Sequence, residues 1–148
     1  MNNQIYTGKR VMIIAPHPDD ETLGVGGTIA KYSAMGAEIF VLIVSGHLPP
    51  LYSLEDYDKT IIEARSAFEL LGVSQSDFLE IPATMIDELP HREVNDRISK
   101  IVNKFAPHIV FCPYPDRHID HRLVFDSTMV ATRPVGVGRK IEIVATYE

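Results

Sequence analysis

The apolar run Val11-Met12-Ile13-Ile14-Ala15 is the feature of this chain that most constrains its fold. The run is continuously apolar rather than alternating, which is typical of a strand covered on both faces in a parallel sheet. Pro16 and Pro18 end the strand, because proline donates no backbone hydrogen bond. The run therefore predicts a buried strand over residues 10–15 of an α/β protein.

Strand and helix patterns alternate along the rest of the chain. Further strands are predicted over residues 39–44, 78–81, 109–111 and 140–147, and helices over 20–35, 56–71, 92–105 and 120–131. The last strand alternates, so we expect it to be half-buried or to lie at the sheet edge. This order indicates βαβ units, and we expect a Rossmann-like three-layer αβα fold with a mostly parallel sheet. Residues 1–148 are predicted to form a single domain.

Composition and charge narrow the class of protein. The net charge is −6 and Lys and Arg form no block, so we do not expect nucleic acid as a partner. The single Cys112 excludes an intrachain disulfide, and its apolar surroundings predict a buried side chain rather than a nucleophile. No signal peptide pattern and no bilayer-spanning apolar stretch are found, so a cytoplasmic protein without a membrane span is predicted.

Two clusters of histidine and aspartate follow predicted strands. The first His/Asp cluster is His17-Pro18-Asp19-Asp20-Glu21, and the second His/Asp cluster is His118-Ile119-Asp120-His121. The carboxyl ends of parallel strands meet at one edge of a sheet, so we expect the clusters to converge. Zinc in hydrolytic sites takes three ligands, often imidazole and carboxylate, and keeps one position open. His17, Asp20 and His121 can supply that set.

The remaining members of the clusters fit catalytic roles. Asp19 need not coordinate a metal, and a free carboxylate beside one suits a general base. If His121 binds metal, His118 is predicted to face the substrate, where it stabilises an oxyanion or protonates the leaving amine. Asp120 is then predicted to fix the tautomer of His118.

Simpler structural roles compete with these assignments. A carboxylate at a helix N-terminus satisfies free N–H groups, so Asp19 or Asp20 could cap the first helix and Asp120 the last. His118 and His121 could be surface histidines on a polar loop. The other histidines that we assign to the surface are His47, His91 and His108.

The segment Gly24-Val25-Gly26-Gly27 resembles a phosphate-binding loop only superficially. It lacks the third spacing of the dinucleotide fingerprint and follows an acidic segment that repels phosphate. We therefore predict that these glycines let a helix and the sheet approach closely.

The combined motifs resemble one family across nearly the whole chain. Residues 15–24, read with Gly26-Gly27-Thr28 and the second His/Asp cluster, closely resemble the LmbE/PIG-L family of zinc-dependent N-deacetylases. The resemblance extends through Glu63, Leu71-Gly72, Ala131-Thr132-Arg133-Pro134 and Tyr147-Glu148. It implies a Rossmann-like fold and removal of the acetyl group from an N-acetylated amino sugar or its conjugate.

The resemblance also implies roles for single residues. By position, the zinc ligands would be His17, Asp20 and His121, and the general base would be Asp19. His118 would be the second catalytic histidine, paired with Asp120.

Two features depart from the family pattern. Some members place a tyrosine, as oxyanion donor, where this chain has Asp116, and the nearest tyrosine is Tyr114. Relatives usually continue beyond the Tyr147-Glu148 pair, so we interpret the C-terminal part as shortened. A shortened sheet predicts a homo-oligomer formed through the last strand or an open active-site mouth.

Three functions remain as hypotheses from the sequence. The first is a zinc-dependent hydrolase that releases acetate from an N-acetylated sugar. The second is a truncated, non-catalytic Rossmann-like module that binds zinc and a sugar or nucleotide. The third, a metal phosphoesterase, is disfavoured because two-metal sites need more bridging carboxylates and histidines than this chain offers.

Overall fold

A five-stranded sheet runs through the computed structural model, which describes residues 6–148. The helices and strands, in chain order, are β1 (Arg10–Ala15), α1 (Asp20–Ala34), β2 (Glu38–Gly46), α2 (Leu54–Leu71), β3 (Gln75–Pro82), α3 (His91–Phe105), β4 (Ile109–Pro113), α4 (Ile119–Ala131) and β5 (Ile143–Tyr147). Short 3₁₀ helices lie at Ile86–Glu88 and Gly136–Lys140. The strand order is β3-β2-β1-β4-β5, and each neighbouring pair is parallel. The predicted α/β fold with a mostly parallel sheet is confirmed.

Helices cover both faces of the sheet. On one face Ile13 of β1 packs in an apolar cluster with Phe68 of α2 and with residues of α1. On the other face Ile14 packs with Ile98 of α3 and Val124 of α4. Side chains alternate across a strand, so β1 must be apolar at every position to serve both clusters. This explains the continuous apolar run in the sequence.

The helix boundaries follow local capping chemistry. The side chain of Ser53 accepts the backbone N–H of Asp56, whose carboxylate accepts the N–H of Ser53, so α2 begins with a capping box. It begins two residues earlier than predicted for this reason. Gly72 ends α2 in the left-handed conformation, as the sequence predicts. No helix within residues 6–148 is both long and apolar enough to cross a bilayer.

The last strand is shorter than predicted. Residues 136–140 form a 3₁₀ helix, and β5 begins only at Ile143. In this turn Gly138 lies against the backbone carbonyl of Arg133, and an added Cβ would be only 1.9 Å from that oxygen. Only glycine fits such a tight turn. β5 does lie at the sheet edge, as predicted. Ile143 and Tyr147 fall on one face of the alternating pattern, and of these only Tyr147 is buried, so the expected half-burial of the strand is only partly right.

Gly24 lets α1 approach the end of β5. The hydroxyl of buried Tyr147 donates to the carbonyl of Ile14, 3.0 Å away. A Cβ on Gly24 would lie 2.3 Å from the Tyr147 ring. The predicted role of this glycine in close helix–sheet approach is confirmed.

Gly24→Ala is expected to lower the free energy of unfolding by about 1–3 kcal/mol, because the added methyl group must displace Tyr147. Urea unfolding followed by circular dichroism measures the change. Gly27→Ala is the matched control in the same helix, since a Cβ there meets nothing within 4 Å. Equal destabilisation by both variants would contradict the prediction.

The order of the strands creates a crevice beside β1. The chain runs outward from β1 through β2 to β3, then returns to place β4 on the other side of β1. Loops that leave β1 and β4 therefore diverge, and in open α/β folds ligands bind outside the carboxyl ends of the strands at such a point.

Candidate metal centre

Both His/Asp clusters lie at this crevice. The first follows the carboxyl end of β1, and the second begins α4 just after β4. The rings of His17 and His121 have centroids 5.6 Å apart although they are distant in sequence. The two clusters therefore meet in space, as predicted.

Three donors meet around the carboxylate of Asp20. Its Oδ2 lies 3.3 Å from Nδ1 of His17 and 3.4 Å from Nε2 of His121. One donor atom from each of the three residues lies within 4.8 Å of the others. The three side chains are mostly shielded from solvent, with exposed fractions of 16%, 21% and 18%.

The other ring nitrogens of these histidines have carboxylate partners. Nε2 of His17 lies 2.8 Å from Oδ2 of Asp120, and Nδ1 of His121 lies 2.9 Å from Oδ2 of Asp116. An ionised carboxylate only accepts, so each outer nitrogen carries the proton. The inner nitrogens face Asp20, and that of His17 offers its lone pair to a metal once the ring has lost its second proton. This carboxylate–histidine arrangement is the one that orients metal-binding histidines.

The donor set fits a divalent metal. Two neutral imidazoles and a carboxylate with an open fourth position match zinc in hydrolytic sites. A second donor group, His17 with His118 and Asp120, is also compact. In this second group, Nε2 of His17 is hydrogen-bonded to the carboxylate of Asp120. Nδ1 of His118 accepts the backbone N–H of Asp120. In the first group, the inner nitrogens of both histidines face the shared carboxylate of Asp20.

Asp120 fixes the tautomer of His118 through its backbone N–H, which donates to Nδ1 of His118, and not through its carboxylate. Its fully buried carboxylate contacts His17 instead, and the backbone N–H of Thr84 donates to the same oxygen at 2.8 Å. Burial raises the pKa of Asp120, but the bonds from His17 and Thr84 outweigh burial and hold the pKa below its ordinary value. The alternative that Asp120 caps α4 is wrong, because His118 occupies that position. Asp120 thus orients His17.

His118 begins α4 with its ring turned toward the candidate ligands. Nδ1 accepts the backbone N–H of Asp120 at 3.2 Å, so the neutral ring carries its proton on Nε2. Its centroid lies 4.9 Å from that of His17. Burial, and then the neighbouring charge of His17, lower the pKa of His118. The ring is therefore a neutral hydrogen-bond donor at neutral pH.

Asp19 precedes Asp20 in sequence but belongs to neither candidate donor group. Its side chain makes no capping hydrogen bond to α1, so the capping alternative does not hold for Asp19. Its backbone N–H donates to the buried carboxylate of Glu21 at 3.2 Å, which fixes the turn. Desolvation and then the adjacent charge of Asp20 raise the pKa of Asp19. A raised pKa makes a carboxylate a better base.

Sequence reasoning missed two contributors to the site. Asp116, read as a departure from the family pattern, binds His121 and also accepts the backbone N–H of His118 at 2.7 Å. Thr84 reaches Asp120 through its backbone from the loop after β3. The only hint of this role in the sequence is that Asp116 is a carboxylate five residues before the predicted ligand His121. Thr84 donates through its backbone N–H, which nearly every residue has, so its contact with Asp120 could not be predicted from the sequence.

The remaining histidines lie outside the candidate metal centre. Nδ1 of His108 accepts the N–H of Arg10 at the opposite end of β1, and the ring of His47 packs at a tilt against that of Tyr52 in the loop after β2. His91 is exposed at the start of α3. Cys112 is buried as predicted, and burial raises the pKa of its thiol to about 12.

Asp116→Ala is expected to weaken zinc binding by a factor of about 10–100, because His121 loses the partner that orients its ring. Titration against a chelator of known affinity measures this change. Asp126→Ala, at an exposed position of α4, the helix that carries His121, should bind zinc as the wild type does. Equal affinities in both variants would contradict an orienting role for Asp116.

A family model connects the chain with known deacetylases. The model described as PIG-L, GlcNAc-PI de-N-acetylase, matches residues 12–132. A diacetylchitobiose deacetylase of Thermococcus kodakarensis is 38% identical over 82% of this chain and 48% of the relative. A 1D-myo-inositol 2-acetamido-2-deoxy-alpha-D-glucopyranoside deacetylase of Kineococcus radiotolerans is 29% identical over 83% of this chain and 44% of the relative.

The chain also resembles a solved deacetylase structure. The N,N'-diacetylchitobiose deacetylase of Pyrococcus horikoshii, complexed with an inhibitor, superposes with a TM-score of 0.79 and 29% identity. The superposition covers 94% of this chain and 60% of that protein. The chain spans about half the length of the curated relatives that it matches.

Proposed function

The chain belongs to the PIG-L family of GlcNAc-PI de-N-acetylases, and from this premise we propose that it is a zinc-dependent hydrolase that removes the acetyl group from an N-acetylated amino sugar or its conjugate. The observation that carries the proposal is the convergence of His17, Asp20 and His121 donors within 4.8 Å at the crevice beside β1. Relatives named as deacetylases of N-acetylated sugars support the substrate class.

We assign zinc to His17, Asp20 and His121. When bound, zinc supplies a Lewis acid that polarises a carbonyl and promotes the ionisation of water. Asp120 and Asp116 hold the two histidine rings in the tautomers that binding requires. This division leaves Asp19 and His118 free for the reaction itself.

Asp19 and His118 move protons and stabilise charge. Asp19, with its raised pKa, takes a proton from the water that attacks the acetyl carbonyl. His118 is neutral and carries its proton on Nε2, so it donates a hydrogen bond to the oxyanion that develops. A proton is returned to the leaving nitrogen, and the products are acetate and a free amine.

Zinc binding is expected to release about one proton per metal ion at pH 7.5. Burial lowers the pKa of His17, but hydrogen bonds to Asp120 and Asp20 outweigh burial and raise its pKa to about 9. Below pH 9 the ring must lose a proton before Nδ1 can bind metal, so affinity should rise roughly tenfold per pH unit and then level off. Calorimetry in buffers of different ionisation enthalpy counts the protons. Zinc binding without proton release would contradict this account of His17.

The proposed activity is tested by acetate release from a panel of N-acetylated sugars. The zinc-loaded protein should release acetate, chelation should stop the reaction, and added zinc should restore it. Acetate release that survives complete removal of the metal would refute zinc dependence. Bound zinc without acetate release from any sugar would instead favour the non-catalytic binding module.

A cytoplasmic location and a homo-oligomeric state stay predictions.

A further inference from the structure

The carboxylate of Glu21 is buried at the start of α1, two residues after the proposed base. Glu21 is 1% exposed, whereas Asp19 is exposed. Burying a carboxylate costs free energy unless hydrogen bonds replace those that it made to water. The hydrogen bonds of Glu21 therefore account for its place in the interior.

Both carboxylate oxygens of Glu21 have partners. Oε2 accepts the backbone N–H of Asp19 at 3.2 Å, and Oε1 accepts the hydroxyl of Thr22 at 2.6 Å. Burial raises the pKa of Glu21, and the hydroxyl of Thr22 and the backbone N–H groups of Glu21 and Asp19 oppose that rise. The carboxylate thus lies over the first N–H groups of α1, where the helix dipole favours a negative charge.

This arrangement is one half of a capping box. In a complete box the N-cap side chain accepts an N–H of the first turn, and an acidic or amide side chain of that turn accepts the N-cap N–H. α2 has both halves, made by Ser53 and Asp56. In α1 the N-cap is Asp19, whose N–H binds Glu21 but whose side chain makes no capping hydrogen bond. The carboxylate of Asp19 is therefore left out of the cap.

An aspartate at the N-cap ordinarily caps the helix with its own carboxylate. Hydrogen bonds from N–H groups stabilise the ionised form of such a carboxylate and make it a weaker base. Capping alone does not require a buried acid in α1, because Asp19 already offers an acceptor at the usual position. The buried Glu21 takes over part of that work, and this keeps the carboxylate of Asp19 available.

We propose that Glu21 is a positioning residue for the reaction, which holds the first turn of α1 so that the carboxylate of Asp19 stays out of the helix cap and remains available to the attacking water. The inference rests on the proposed deacetylase function, in which Asp19 is the base. Glu21 belongs to neither candidate donor group, so it acts through Asp19 and not through the metal.

Two variants of similar size test the hydrogen bond. Glu21→Met removes the acceptor, so the carboxylate of Asp19 should turn onto the free N–H groups of α1. Misplacing the base should lower kcat by a factor of about 10², with KM and zinc content close to the wild-type values. Glu21→Gln keeps an acceptor for the N–H of Asp19 and should restore most of kcat. A folded Glu21→Met protein with wild-type kcat would overturn the proposal.

A double-mutant cycle separates positioning from general damage. In Asp19→Asn the base is already absent, so adding Glu21→Met should lower the residual turnover little further. An equal fall in both backgrounds would show that Glu21 does not act through Asp19. Glu55→Met is the matched control, because Glu55 is likewise the second residue of its helix but is exposed, and its kcat should be that of the wild type.

Thr22→Val tests the same contacts if Glu21→Met does not fold. Valine has the size of threonine but lacks the hydroxyl that donates to Oε1 of Glu21. With one of its two hydrogen bonds lost, Glu21 should hold the turn less firmly, so kcat should fall by a smaller factor while KM stays unchanged. An unchanged kcat in Thr22→Val would then overturn the proposal.

Crystal structures of the variants distinguish this proposal from the proposed function. In Glu21→Met the carboxylate of Asp19 should accept an N–H of the first turn of α1, and in Glu21→Gln it should not. If the wild type releases no acetate, the proposed function fails, and these structures still decide whether Glu21 places Asp19. If acetate is released but Asp19 does not move in Glu21→Met, the function stands and the role of Glu21 is wrong.

Discussion

His121→Ala is expected to abolish stable zinc binding and, with it, acetate release. Wild-type protein should carry about one zinc ion per chain, since the two compact donor groups at the crevice share His17 and cannot both be filled. In the variant only His17 and Asp20 remain, and two ligands hold zinc weakly. The loss should exceed the roughly 10–100-fold expected when only an orienting partner is removed. Elemental analysis after dialysis measures the metal content.

The fold should survive this change, because the side chain of His121 lies at the crevice and not in either apolar cluster. Circular dichroism of the metal-free variant checks that the helices are intact. His91→Ala, which removes a histidine at the start of α3, should keep its full zinc content. Undiminished zinc in His121→Ala would refute the ligand assignment.

The sequence predicts the architecture well where burial dictates residue type. β1 must serve two apolar clusters, so its limits follow from the apolar run alone. The end of α2 follows equally well, because Gly72 adopts a left-handed conformation that other residues avoid. The start of β5 could not be predicted. Its alternation continues back through Ile141, and only the packing of Gly138 against Arg133 shows that a 3₁₀ turn intervenes.

The sequence predicts that the two His/Asp clusters meet, but it does not predict which carboxylate is hydrogen-bonded to which histidine. Two clusters at the carboxyl ends of parallel strands must meet, whatever their side-chain conformations. Which carboxylate orients which histidine depends on conformations in two loops that are distant in sequence. The pairing of Asp120 with His17 joins residues 103 positions apart. The partner expected from sequence, His118, was near in sequence but turned its ring to cap α4.

Asp19→Asn is expected to keep its zinc and to lose turnover by a factor on the order of 10² to 10⁴. Asparagine has the size of aspartate but cannot take a proton from water. Asp19 stands outside the donor group, so its replacement removes no ligand. The buried Glu21 still accepts the backbone N–H at position 19, which keeps the turn in place. Zinc content and kcat, measured on the same preparation, test both halves of the expectation.

Asp20→Asn is the matched control, because it makes the same change at the next residue. Its carboxylate faces both histidines and accepts the backbone N–H of His17 at 3.0 Å. An amide is a weaker ligand for zinc than a carboxylate, so Asp20→Asn should lose metal as well as turnover. Two adjacent aspartates would then have separable roles, one as base and one as ligand. Loss of zinc in Asp19→Asn would instead make Asp19 a ligand, and full turnover in that variant would exclude it as the base.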